Sequence, residues 1–174
     1  MNLQEELLRE HSGPQAKKIA GYIGNDPKLF AALVDLMLET EYRISQRAAW
    51  VVSHSIQQHP DLLFPHIGAI LKNLENGGPM HVAVKRNSIR ILQLIDIPEK
   101  WMGRAANICF QYLTDAKESI AVHAFSMTVL YHITLKNPEL KNELKMVIEE
   151  LLPHGSAGVK NRGKRILKSL EKLD

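Results

Sequence analysis

A chain of 174 residues with 45% apolar and 24% charged side chains has the size and composition of a folded domain with a sizeable core. Ten glycines and eight prolines exclude a disordered or fibrous composition, and the lone Cys109 excludes an internal disulfide or a cysteine metal cluster. The net charge of +3 permits an acidic partner without naming one.

Apolar residues recur every three or four positions throughout, the period of a helix with one buried stripe, and no stretch alternates with period two. Ten helices are predicted, at roughly 2–10, 14–23, 27–39, 43–58, 61–74, 80–95, 99–113, 117–134, 138–152 and 157–172. Asp26-Pro27 and Asn137-Pro138 each set a capping side chain before a proline at the first helical position. Asn76-Gly77-Gly78-Pro79 interrupts the chain near its centre. Asp115 and Glu118 have capping-box spacing, and Ser156 follows the His154-Gly155 stop.

The ten segments form five pairs whose second members resemble one another. Ile44, Ala48, Val51 and Ser55 set a spacing repeated by Val84, Ser88, Ile91 and Ile95, by Ile120, Ala124, Met127 and Tyr131, and by Val159, Gly163, Ile166 and Leu170. Ala16, Ala20 and Ile23 give a truncated version, and the starting residues lie 28, 40, 36 and 39 apart. The last three intervals are those of two-helix solenoid units. The small residue at Ala20, Ala48, Ser88, Ala124 and Gly163 is expected where each pair stacks closely on the next.

The stretches ISQRAAWVVSHSI at 44–56, VKRNSIRILQLI at 84–95 and VKNRGKRILKSL at 159–170 resemble the second helix of HEAT-repeat, or armadillo-like, proteins. The family's proline inside the first helix has a match only at Pro65, and its inter-helix aspartate is mostly missing. The resemblance implies an all-α, right-handed α-α solenoid of about five antiparallel pairs in one domain, 1–174, with the second helices on its concave face.

Charge divides between the two sets of helices. First-helix segments with their turns total −7, and second-helix segments total +10. Opposite the apolar stripe of the second helices stand Lys18 and Tyr22, then Arg43, Arg47, Trp50 and His54, then Arg86 and Arg90, then His123, and lastly Arg162 and Arg165. No acid shares these positions. The four-residue steps Arg43–Arg47 and Arg86–Arg90 stack side chains on one helical face. A basic partner-binding stripe is therefore expected, anchored by Arg47, Arg86, Arg90 and Arg162. Its fixed donor forks suit carboxylates or phosphates, and Trp50 either stacks on a ligand or fills the seam between pairs.

The eight histidines have no metal-ligand spacing, and no phosphate loop or nucleophile motif is present, so neither cofactor nor metal is expected. Without a secretory leader or an apolar run of membrane-spanning length, a cytoplasmic, membrane-free protein is the default expectation. The favoured function is a noncatalytic scaffold for an acidic protein segment. Nucleic-acid binding is the alternative. A weaker resemblance, to repeat-built DNA glycosylases acting on alkylated bases, lacks an acid in mid-stripe: Asp96 ends one second helix and Glu118 begins another.

Overall fold

The computed structural model describes residues 1–39, 41–75 and 80–173, so the Asn76–Pro79 interruption lies outside the described residues. Ten α-helices follow in order: α1 (Leu3–Arg9), α2 (Gly13–Ile23), α3 (Pro27–Leu38), α4 (Tyr42–Gln58), α5 (Ile67–Glu75), α6 (Val82–Leu92), α7 (Glu99–Thr114), α8 (Ile120–Thr134), α9 (Lys141–Leu151) and α10 (Ala157–Leu170). The predicted 61–74 helix is split, because Pro60–His66, which contains Pro65, winds as a 3-10 helix before α5 begins. Proline supplies no backbone donor and its ring clashes with the preceding turn, which breaks a regular α-helix. Short 3-10 turns also precede α9, at Pro138–Leu140, and follow α10, at Glu171–Leu173.

The caps sort into two groups. Asp26 accepts from the Lys28 and Leu29 amides, and Ser156 from the Val159 amide, so both open helices as expected. Two expectations are corrected. Asp115 closes α7 and bonds the Lys117 amide, while Ser119, accepting from the Val122 amide, opens α8. Asn137 does not cap; its Nδ2 donates to the Ile133 carbonyl at 3.1 Å.

The chain divides into two compact units, Met1–Ile95 and Asp96–Asp174. In the first, α4 packs on its pair partner α3 and also against α2 and α6, so the second helices of successive pairs form one layer. Phe30, Leu33 and Val34 of α3 and Ala48 and Val52 of α4 are sealed in this core. In the second unit α8 packs on α7 and α10, and α7 packs on α9. Cys109, Val122, Met127, Leu130 and Ile148 are buried there. Each fully buried aliphatic side chain contributes on the order of 2 kcal/mol of transfer free energy. Burial pushes the Cys109 thiol up to about 12.

The repeated small residue has a different use at Gly163 from the one its sequence suggests. A Cβ there would sit 2.7 Å from Leu152 Cδ2 and 3.0 Å from Ile148 Cγ2. Those contacts belong to α9 and its end, so the close approach is within the α9–α10 pair.

Candidate binding face on the second helices

The residue immediately before the small position is Arg47, Asn87, His123 or Arg162. This register is partly or fully buried; Arg47, His123 and Arg162 direct polar atoms to the protein itself, while Asn87 Nδ2 is buried with no hydrogen-bond partner among the described residues. Arg47 Nη1 donates 2.8 Å to the carbonyl of Leu7, in the last turn of α1, where helical carbonyls have no intrahelical donor. Arg162 Nη1 donates to Thr128 Oγ1, whose hydroxyl donates in turn to the Ala124 carbonyl at 3.2 Å. His123 is 6% exposed, and its Nε2–H donates 3.1 Å to the Asp115 carbonyl in the turn before α8. This corrects the expectation of an open His123 on the basic stripe: the ring ties down a turn. Asn87, not singled out from the sequence, is also buried.

Two residues after the small position stand Tyr22, Trp50, Arg90, Ser126 and Arg165. All but Ser126 are at least partly exposed. Trp50 meets His11 edge-on at a centroid distance of 5.3 Å and lies 6.3 Å from His54. Together with Leu7, Gln15 and Arg47 it lines a recess of about 10 Å³ between α4 and the α1–α2 turn. Trp50 thus fills a seam while staying partly exposed. Lys18 is turned away from this use by Glu6, whose carboxylate it meets at 3.2 Å. The Gln15 side chain, then Lys18, holds that carboxyl below its ordinary range.

Around His54 the first unit gathers uncompensated positive charge. Burial lowers the His54 pKa, and the Lys17 and Arg90 charges lower it further. Arg90 is half-buried; desolvation, then neighbouring Arg86, lowers its pKa from the usual arginine value. Among the described residues no carboxylate lies within 4.0 Å of the charged groups of Lys17, Arg86 or Arg90. His54 Nε2 is buried with no hydrogen-bond partner among the described residues. A crowded cationic group of this kind favours an anion brought from outside.

Arg43 is exposed beside Tyr42, which raises its pKa, and Tyr42 stacks on His81 at 4.7 Å. In the second unit Arg165 is exposed on α10, and its charge lowers the Arg162 pKa after desolvation has done so. The two acids considered for catalysis occupy turns. Asp96 is exposed and pairs with Lys136, and Glu118 lies between α7 and α8. Among the described residues no group of three His, Cys, Asp or Glu is placed to hold a metal ion. No helix there is long and apolar enough to cross a membrane.

A family model described as a HEAT repeat domain matches residues 3–170. No curated protein and no solved structure gives a significant match.

Proposed function

Because the chain belongs to the HEAT-repeat family, the class of right-handed solenoids of antiparallel helix pairs, we propose that it is a noncatalytic scaffold receiving an acidic segment of a partner protein on its second helices. The family architecture supports a protein-binding scaffold, and the match runs through both compact units, which supports one repeat domain. The observation that carries the acidic partner is the pair Lys17 and Arg90 beside His54, with Arg86 next to Arg90 and no carboxylate of the described residues paired to any of the three cations.

Arg86 and Arg90 are the anchors, and Trp50 supplies apolar contact in the same unit. Arg43, in the same unit, adds exposed charge. Arg47, Arg162 and His123 act as positioning groups, since their donors already serve backbone or hydroxyl oxygens. Guanidinium forks bind carboxylates in two-point geometry, which favours a segment with closely spaced Asp or Glu. A reducing, cytoplasmic setting fits the single buried thiol.

Fluorescence anisotropy with a labelled Glu/Leu-rich dodecapeptide and with short single-stranded and duplex DNA tests this reading. The peptide is expected to bind, and Arg86→Ala/Arg90→Ala to weaken it at least tenfold. Equal binding by the double variant counts against the face. A preference for DNA, with a log-affinity against log-salt slope of roughly −3 to −5, replaces the protein segment by a phosphate backbone. Release of a free base from alkylated duplex overturns the noncatalytic reading.

A further inference from the structure

The second unit carries a groove on its other helical layer, between α7 and the α9 side. Its volume is about 450 Å³, within the range of ligand pockets, and it opens to solvent. Met102, Ala106, Ile133 and Leu140 give it an apolar floor, Phe110 stands at one end of the α7 wall, and Glu139 and Glu143 line the opposite side. Along α7 the lining runs from Met102 to Gln111, roughly 13 Å of helix, which matches about four extended residues.

Three features make this groove suitable for a peptide. Gly103 lines it, and a Cβ built there meets nothing within 4 Å, so the glycine leaves the wall open without being required by packing. Glu139 and Glu143 are both exposed, one helical turn apart, and neither forms an ion pair with a described residue. Lys141, between them in sequence, does not line the groove. Asn107 and Gln111, exposed on α7, add amides able to donate to and accept from a peptide backbone.

We infer that this groove docks a short partner segment in which an apolar side chain is flanked by arginine or lysine. The apolar residue enters between Met102 and Leu140, and its basic neighbour meets the Glu139–Glu143 edge. This complementarity is opposite in sign to that of the second-helix face and does not depend on it. The chain would then hold two segments of opposite charge, one on each unit.

A phage-displayed library of random dodecapeptides, selected on the full chain and counter-selected on Gly103→Leu, tests the assignment. Recovered peptides are expected to carry a hydrophobic residue within two positions of Arg or Lys. Resynthesised and labelled, they should lose at least tenfold in affinity for Gly103→Leu and for Glu139→Lys/Glu143→Lys. Unchanged or raised thermal midpoints establish that the variants are folded. If Gly103→Leu proves poorly folded, Asn107→Trp serves as the occluding variant. Failure to recover any peptide that discriminates the occluded form overturns the inference. So does recovery of acidic peptides, or equal binding after the double charge reversal.

Discussion

In the first unit Arg47 is tied to the Leu7 carbonyl, while Arg86 and Arg90 on α6 meet no carboxylate of the described residues. In the second unit Arg162 is tied to Thr128, His123 is buried on a turn, and Arg165 alone of the proposed stripe is exposed. The repeat register separates Arg47, His123 and Arg162 from Arg90 and Arg165. Before the small residue, Arg47, His123 and Arg162 spend their donors on oxygens of the chain itself, whereas two positions after it Tyr22, Trp50, Arg90 and Arg165 reach the surface and only Ser126 is buried. Positive charge on a second helix is therefore of two kinds, and only the outward kind is left over for a partner.

The largest effect that would test this register is at the small position itself. Gly163→Val places branched bulk against Leu152 and Ile148 and should destabilise by about 1–3 kcal/mol in urea denaturation. Unaltered stability would mean that α9 and α10 are not held at this approach. Arg47→Met and Arg162→Met, one in each unit, should each cost about 1–2 kcal/mol, because a carbonyl or hydroxyl loses a charged donor. Thermal midpoints would fall by about 2–4 °C per kcal/mol. Arg86→Ala/Arg90→Ala should change stability by less than about 0.5 kcal/mol while removing peptide binding. A loss as large as that of Arg162→Met would place these arginines in the structural class and dissolve the comparison.

The smallest effect is in pH. The folded-state pKa of His54 lies below its ordinary 6.5, so the neutral ring is the stabilising form. Its contribution is complete above about pH 6.5 and is lost as pH falls through the lowered value. Wild type should lose more stability than His54→Gln between pH 7 and 5, while an acidic peptide should bind more tightly over the same interval. An NMR titration giving His54 an ordinary or raised value would remove the cationic crowding on which the first-unit face rests.

Local signals were the legible ones. Asp26-Pro27 and Ser156 could be read as caps because their partners lie two or three residues away. The period of Ile44, Ala48 and Val51 exposed the helix pairs because burial follows the helical repeat. The fate of Arg47 and Arg162 could not be read this way: their acceptors lie 40 and 34 residues off, with no local signature. His123 looked like a member of the stripe because the helical period puts it opposite the apolar residues, but the ring is buried and bonded to the Asp115 carbonyl. Asp115 misled through spacing alone, since Ser119 competes for the same helix start. The α7–α9 groove is made of residues from different elements and becomes visible only when they pack. Comparison of Arg47, Asn87, His123 and Arg162 at one register was the available clue, since a polar residue recurring beside four of the five small ones marks a buried junction.

Cys109, completely enclosed against α8 and with its thiol shifted to about 12, gives the molecule a built-in clock. A thiol of that pKa is almost wholly protonated at neutral pH, so the closed form hardly reacts with a disulfide reagent. Labelling must wait for the α7–α8 pair to open and expose a sulfur of ordinary acidity. As no other cysteine competes, the rate of modification records the frequency of that single event, and a ligand seated along α7 would slow it without any probe being attached.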